Sequence, residues 1–416
     1  MPQQTGFGWQ AYGALIEALS WLHYVVVSPL GKSDEGGADW LGKRHHPVLP
    51  KPVDSRRIWI HAVSAGEAKV AELLRQQLLA LDPTLSVVLS STTYSGYARI
   101  KRTAGGEASF IMPLDTLPEQ SRLFEHLKPA LLVLVESEYW PAQFAAAQAA
   151  GVPVVVVNAT LSARSFARHQ RFPAIARRTL QRARRIYPQD ADTLARYREL
   201  GVPADRLELG GNLKLAPLGN LPPPDRTRPT ITFGNIHADE LDALAPAIAE
   251  LHRRRPARRI VLVPRYPGRI PVVELHRRFG TDLAIVDDIA ATDATLVWLD
   301  RMGALADAYA RSELGIVCGT FAPIGGHDLS EPLQLGAASL YGPHVERQRA
   351  LDQSLQQLQS AVHVTSAAEL PDAVLHLLDH PAERDAMVAR YRALSDAAAI
   401  RLQQVATHLF ALTSSA

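Results

Sequence analysis

The chain has 416 residues, of which 47% are hydrophobic and 21% are charged, and its formal net charge is +2. This composition is ordinary for a soluble globular protein and excludes global disorder, while the length predicts two or three domains of about 150 residues each. So small a net charge gives no indication of nucleic-acid binding, and the single cysteine, Cys318, excludes an intrachain disulfide, which fits a reducing cytosol.

Residues 1–54 are a predicted N-terminal extension that contains the apolar stretch Tyr12–Leu30. Glu17 and His23 interrupt this stretch, whereas a membrane span needs about 20 nearly unbroken apolar residues. The first ten residues also lack the basic segment of a cleavable signal. An amphipathic helix that lies on a membrane, or one that packs on the protein, is the expectation that remains.

Residues 55–216 are predicted to form an α/β domain, because short β-branched runs alternate with helical patterns. Near-continuous apolar strands such as LLVLV indicate a parallel sheet that is buried on both faces. The predicted strands are Arg57–Ser64, Leu85–Thr92, Ser109–Pro113, Ala130–Glu136, Pro153–Asn158 and Arg185–Pro188, with a weaker Leu207–Leu209; the predicted helices are Ala68–Ala80, Leu117–His126, Pro141–Ala150 and Asp190–Leu200.

A proline-rich linker, residues 217–229, separates this domain from a second one at residues 230–395. The alternation resumes there, so we expect two βαβ domains with a cleft at the carboxyl ends of their strands. The final helical stretch, Glu383–Leu412, is long enough to cross back to the first domain, and residues 396–416 are the predicted C-terminal helix that would do so. The predicted strands are Thr230–Gly234, Ile260–Pro264, Leu283–Asp287, Ala294–Leu299, Leu314–Cys318, Ala338–Gly342 and Val362–Thr365.

A glycine-rich turn, Gly319–Pro332, follows the buried strand Leu314–Cys318 and precedes the predicted helix Leu329–Leu335. A strand, a glycine turn and a helix in this order can aim backbone N–H groups at an anion. The alternative is an ordinary helix start capped by Asp328 or Ser330.

Polar residues also follow the other predicted strands. Glu67 lies at a helix start and is either a general base or a residue favoured there by the helix dipole. Glu136 and Glu138 either orient a hydroxylated ligand or form a solvated loop. Arg265 is a candidate partner for a phosphate or carboxylate. Asn158, Asn212 and Lys214 lie where ligand contacts are expected.

Eight arginines and no acidic residue occur between Arg164 and Arg185. This patch either contacts phosphates or an anionic membrane surface, or is a solvated helix face. The histidines show neither HExxH nor Cys/His pairs, so no metal site is expected.

In chain order, the strand-end motifs resemble those of one family. They are HAVSAGE, SSTTYSG, ESEYWP, NATLSARS, GNLK, PRYPGR and CGTFAPIGGHDLSEP followed by YGPH, over about residues 55–345. This succession is similar to that of the bacterial 3-deoxy-D-manno-octulosonic acid (Kdo) transferases. The resemblance implies a GT-B fold with two Rossmann-like domains facing a cleft. It also implies an inverting, metal-independent glycosyltransferase that moves Kdo from CMP-Kdo to a lipid A precursor in lipopolysaccharide biosynthesis, with no cofactor.

The resemblance also implies roles for individual residues. Glu67 matches the general base that deprotonates the acceptor hydroxyl. The nucleotide and donor side would comprise Arg265, Gly319, Thr320, Gly325, Gly326, His327, Asp328 and Glu331. The acceptor and sugar side would comprise Ser64, Gly66, Glu138, Asn158, Ser162, Arg164 and Lys214. The protein would be cytoplasmic, or peripheral on the inner membrane through Arg164–Arg185 and Tyr12–Leu30.

Four motifs depart from the family pattern. PRHPER, GHN, NARLS and STH are replaced by PRYPGR, GHD, NATLS and NIH. Asp328 replaces an amide, and a carboxylate there would repel a nucleotide phosphate unless it were protonated or paired with His327 or Arg265. The alternatives are therefore transfer of Kdo or a related CMP-activated sugar to another acceptor, and a non-catalytic nucleotide-sugar-binding paralogue.

Overall fold

The computed structural model describes residues 11–19, 43–137, 139–171, 177, 179–217 and 224–414. Contacts divide the chain into an N-terminal domain, Met1–Leu218 with Ala397–Ala416, and a C-terminal domain, Gly219–Asp396. Residues 20–30 of the apolar stretch and 218–223 of the predicted linker lie outside the described residues. Within the described ranges, no helix has both the length and the apolar character needed to span a membrane.

The described part of the N-terminal domain contains a parallel six-stranded sheet with strand order β3-β2-β1-β4-β5-β6. The strands are β1 Arg57–Ala62, β2 Ser86–Ser91, β3 Ser109–Ile111, β4 Leu131–Val135, β5 Val154–Ala159 and β6 Arg185–Pro188. The helices that follow β1 include α1 Ala65–Leu81, α2 Tyr94–Ala104, α3 Leu117–Leu127, α4 Pro141–Ala149, α5 Ala163–Arg171 and α6 Ala191–Glu199.

Both faces of this sheet are buried, as its apolar strands predict. Ile58 and Ile60 of β1 belong to one hydrophobic cluster, and Trp59 between them belongs to another. This separation follows from the alternation of side chains along a strand. The first cluster also contains Leu402 and Leu409 from the end of the chain.

The described part of the C-terminal domain contains a parallel seven-stranded sheet with strand order β13-β12-β11-β7-β8-β10-β9. Its strands are β7 Thr230–Ile236, β8 Arg259–Pro264, β9 Ala284–Val286, β10 Leu296–Leu299, β11 Leu314–Val317, β12 Ala338–Tyr341 and β13 Ala361–His363. The helices are α7 Leu241–Arg254, α8 Val272–Phe279, α9 Leu305–Ala310, α10 Glu331–Gln334, α11 Arg349–Gln357, α12 Leu370–Asp379 and the first part of α13 Pro381–Ser414, whose residues from Ala397 onward belong to the N-terminal domain.

Two sequence predictions were wrong in detail. Leu207–Leu209 is not a strand: Leu207 makes only an isolated bridge to Ile186, and a short 3₁₀ turn at Ala204–Arg206 precedes it. The helix predicted at Leu329–Leu335 is the four-residue α10. A single turn of helix provides little macrodipole, so the predicted helix-terminus contribution to anion binding is lost.

Three non-glycine residues adopt left-handed backbone conformations at strand ends. They are Glu136 after β4, Asn158 in β5 and Asn235 in β7, with φ angles of 66°, 51° and 61°. This conformation costs a non-glycine residue energy and is typical of turns and functional sites. In parallel sheets the carboxyl ends of the strands share one edge, so these residues lie where ligands of α/β proteins usually bind.

Candidate functional site

Glu67 lies in the first turn of α1, directly after β1, and only 7% of it is exposed. Ser64 is the N-cap of this helix, and its hydroxyl accepts the Glu67 N–H at 3.3 Å. The Glu67 carboxylate accepts hydrogen bonds from the Val63 amide at 2.7 Å and from the Ser64 hydroxyl at 2.9 Å. Glu67 therefore has the predicted role at the helix start, and these hydrogen bonds hold its carboxylate in one position.

Burial raises the pKa of Glu67, and the neighbouring Glu136 carboxylate raises it further; the Val63 amide, the Ser64 hydroxyl and Lys214 act in the opposite direction. A carboxylate with a raised pKa is a stronger base than an exposed one. The surroundings thus compensate for the helix dipole, which by itself would lower the basicity of Glu67.

Lys214 and Glu136 form an ion pair beside Glu67. A Cβ placed on Gly66 would lie 3.6 Å from the Lys214 ammonium nitrogen, so this cation lies against the start of α1. The Asn158 side chain accepts the Leu213 amide at 2.8 Å and thereby fixes the turn that carries Lys214. Glu67, Glu136 and Lys214 together form what we call the acceptor cluster.

The other predicted acceptor residues are placed differently. Asn158 is fully buried, which suits support of the cluster better than direct contact with a ligand. Ser162 accepts the Ser165 amide at 3.2 Å before α5, and Arg164 is exposed on that helix. Glu138 lies outside the described residues, as do residues 172–176 and 178 of the basic patch.

Backbone amides at the start of the glycine turn of the C-terminal domain have acceptors within the chain itself. The buried Glu240 carboxylate accepts the amides of Gly319 at 2.7 Å and Phe321 at 2.9 Å, and also the His237 amide at 3.1 Å. Thr320 is fully buried and its hydroxyl bonds to the Val317 carbonyl. These amides are therefore not directed at a ligand, because a carboxylate of the chain itself already binds them.

The glycines instead allow two side chains to lie against the turn. A Cβ on Gly319 would approach the His327 ring to 2.7 Å, and a Cβ on Gly325 would approach the Arg347 side chain to 2.8 Å. Gly319, Gly325 and Gly326 all have positive φ angles, of 75°, 99° and 86°. The turn thus positions an imidazole and a guanidinium.

Five side chains form what we call the donor cluster: His237, Arg265, Tyr266, His327 and Arg347. Nε2 of His237 lies 2.8 Å from Nε2 of His327. Tyr266 packs edge-on against His237 at a centroid distance of 5.9 Å, and the Arg265 guanidinium lies 5.5 Å from the Tyr266 ring centre. Among the described residues, neither Arg265 nor Arg347 forms an ion pair, so this cluster is rich in cationic donors suited to phosphate.

Asp328 and Glu331 lie beside this cluster, at the start of α10. The Asp328 carboxylate accepts the Ser330 amide at 3.0 Å and the Ser330 hydroxyl at 2.6 Å. Asp328 is thus engaged in an Asx-type turn. Glu331 is the first residue of the helix.

Sequence reasoning did not select His237, Glu240 or Arg347 as site residues, and it named Glu136 as a ligand contact only beside the alternative of a solvated loop. His237 and Glu240 follow strand β7, but no local pattern distinguishes them from solvated loop residues. Arg347 gave no signal. No group of three or more His, Cys, Asp or Glu side chains suited to a metal occurs in the described ranges.

Comparison with known structures identifies the fold class. The chain is similar to MurG of Acinetobacter baumannii, with a TM-score of 0.50, 14% sequence identity and coverage of 87% of this chain and 100% of that one. This similarity, together with the two parallel-sheet domains of the chain, confirms the predicted α/β GT-B fold.

Sequence comparisons identify the family that the motifs resemble. Residues 39–217 match the family model of the 3-deoxy-D-manno-octulosonic-acid transferases. The chain is 28% identical over 350 residues to the 3-deoxy-D-manno-octulosonic acid transferase of Chlamydophila psittaci, which covers 80% of this chain and 79% of that protein. It is 29% identical over 358 residues to the enzyme of the same name from Bordetella pertussis, covering 81% and 82%. The resemblance to Kdo transferases is thereby confirmed.

Proposed function

We propose that this protein is an inverting glycosyltransferase that moves Kdo from CMP-Kdo to an acceptor hydroxyl in lipopolysaccharide biosynthesis. The similarity to named Kdo transferases over about four fifths of the chain supports the reaction class. The observation that carries the mechanism is the buried Glu67 carboxylate, fixed by two hydrogen bonds and raised in pKa.

In this mechanism Glu67 is the general base. Each of its oxygens accepts one hydrogen bond from the helix start, and each has a further lone pair for an acceptor hydroxyl. As the acceptor oxygen bonds to the anomeric carbon of Kdo, its proton passes to Glu67. The bond from that carbon to the phosphate oxygen breaks, and CMP leaves with the bonding electrons.

The donor cluster would stabilise the departing phosphate. Arg265 and Arg347 are cations without a carboxylate partner among the described residues, so they can offset the charge that develops on the leaving group. The Asp328 carboxylate is already bound to Ser330. We propose that it supports α10 and does not bind the nucleotide, which makes this departure compatible with a CMP-activated donor. No cofactor or metal has a role in this scheme.

For the acceptor we propose a phosphorylated lipid A precursor. Lys214 in the acceptor cluster and the exposed Arg164, Arg168 and Arg171 on α5 are cations suited to acceptor phosphates or to an anionic lipid surface. This favours a cytoplasmic protein that works at the periphery of the inner membrane.

The test incubates the full chain with CMP-Kdo and a tetraacyl lipid A precursor, and measures CMP release and the mass gain of the acceptor. Glu67→Gln keeps one oxygen for the helix start but removes the base, so we expect turnover to fall at least 100-fold while CMP binding persists. Absence of turnover by the wild type with this acceptor would contradict the lipid A assignment.

Glu72→Gln is the matched control. Glu72 is also a buried carboxylate on α1, but it pairs with Arg99 at 2.8 Å instead of facing the acceptor cluster. This variant should retain turnover. Retention of activity by Glu67→Gln would remove Glu67 as the base.

A further inference from the structure

The two histidines of the donor cluster share one hydrogen bond. Their Nε2 atoms are 2.8 Å apart, whereas their ring centres are 5.1 Å apart and the ring planes are within 17° of parallel. The nitrogens are thus much closer than the ring centres, so the imidazoles meet edge to edge rather than face to face. Such a bond requires one Nε2 that carries a proton and one that does not.

This geometry restricts the charge of the pair. Two neutral imidazoles satisfy the bond, and so does one imidazolium that donates to one neutral imidazole. Two imidazolium ions would point two N–H groups at each other and break it. His237 and His327 are therefore a site for a single additional proton, whichever ring carries it.

Several elements contribute charged or titratable groups around the pair. Cations come from the end of β8 and from the segment after β12, and acids come from the turn after β7, where one carboxylate is engaged by backbone amides. These groups are Arg265, Arg347, Asp239 and Glu240, with Tyr266 as the neighbouring phenol.

Burial and the nearby cations lower the pKa of both histidines, that of His327 to about 4. Both shifts favour the uncharged form of the pair at neutral pH before any ligand binds. An anion beside Arg265 would reverse this balance, because a nearby negative charge favours the imidazolium form.

We propose that the His237–His327 pair takes up one proton from solvent when a phosphate group binds at the donor cluster, so that nucleotide binding is linked to proton uptake. The inference deepens the proposed function and rests on it for the identity of the nucleotide. His237 and His327 become positioning and charge-balancing residues: the imidazolium adds a positive charge only when a phosphate is present.

The linkage fixes the sign of the pH dependence. The pKa of the pair is higher in the complex than in the free protein, so the proton-linked gain in affinity is fully present below the lower value, declines between the two values and is absent above the higher one. In that window the affinity for CMP should weaken about tenfold for each pH unit of increase, the slope expected for one linked proton.

Calorimetric titration of the full chain with CMP at pH 7, in two buffers of different ionisation enthalpy, measures the protons taken up. We expect net uptake of up to one proton for the wild type and close to none for His237→Gln or His327→Gln, with folding verified by thermal denaturation. A purely structural role would lower affinity in these variants but leave proton uptake unchanged, which would overturn the inference.

His380→Gln is the matched control. His376 on α12 and His380 directly after it form another close histidine pair. Both are exposed, and their ring centres are 4.2 Å apart. This change should leave proton uptake on CMP binding unaltered, and a loss as large as that of His237→Gln would contradict the assignment to the donor cluster.

The outcomes separate this inference from the proposed function. CMP binding without proton uptake overturns the inference and leaves the function in place. If CMP does not bind, inorganic phosphate is titrated under the same conditions: proton-linked phosphate binding keeps the inference and overturns the CMP-linked donor. Failure of both ligands to bind overturns both.

Discussion

Replacing Gly319 by alanine tests whether the turn after β11 exists to hold His327. Gly319 has φ of +75°, and an added Cβ would lie 2.7 Å from Cδ2 of the His327 ring. The left-handed conformation costs a non-glycine residue roughly 1–2 kcal/mol. The close contact adds about 1–3 kcal/mol, because an overpacked neighbour must move. The variant should thus lose roughly 2–5 kcal/mol.

Gly303→Ala separates these two contributions. Gly303 has φ of +82°, but a Cβ there would meet nothing within 4 Å, so only the backbone cost of about 1–2 kcal/mol should apply. Both glycines belong to the C-terminal domain. Hydrogen exchange of amides in that domain, followed at increasing urea concentration, should therefore give a lower unfolding midpoint for Gly319→Ala than for Gly303→Ala.

The same pair of variants has a functional readout. Displacement of His327 breaks its 2.8 Å contact with His237, so Gly319→Ala should also bind CMP at least tenfold more weakly, whereas Gly303→Ala should bind it normally. Equal stability losses together with equal CMP affinities would refute the reasoning, since they would mean that His327 does not rest on Gly319.

Two further predictions concern the buried carboxylates. Lys214→Met removes the cation that lowers the pKa of Glu67 and leaves Glu136 without its ion pair, so the acidic limb of the pH–rate profile should move to higher pH. The control is Lys51→Met, at an exposed lysine of the same domain, which should not move the limb. An unchanged limb in Lys214→Met would contradict this electrostatic account. In Glu240→Gln a side-chain NH₂ group would replace one of the oxygens that accept backbone amides in the wild type. The free energy of unfolding, measured by denaturation, should therefore fall by about 1–3 kcal/mol. An unchanged midpoint would show that these amides find other partners.

Local patterns in the sequence were sufficient to predict the sheets. The apolar run LLVLV of β4 indicated a strand buried on both faces, and in the neighbouring β1 the structure places alternate residues in separate hydrophobic clusters. Glu67 also lies at the helix start where the sequence placed it. These features depend on neighbours within a few residues, where side-chain periodicity and capping chemistry act directly.

The helix Tyr94–Ala104 shows where local pattern was insufficient. The sequence analysis did not select it, because it begins in the polar stretch SSTTYSG, which has few apolar residues. Thr93 caps it by accepting the Gly96 amide at 3.2 Å, and Ile100 is fully buried beneath it. Tertiary packing of one face therefore stabilises a helix whose intrinsic signal is weak.

The arrangement of the site was decided only by tertiary structure. The sequence placed Glu67, Lys214, Arg265 and the 319–332 turn at strand ends, but it suggested that the turn amides would bind an anion. In the structure Glu240 binds those amides, and His327 reaches His237, 90 residues away. Such contacts depend on strand order and on the direction of each side chain, which no local periodicity specifies, because residues distant in sequence become neighbours only when the sheet assembles.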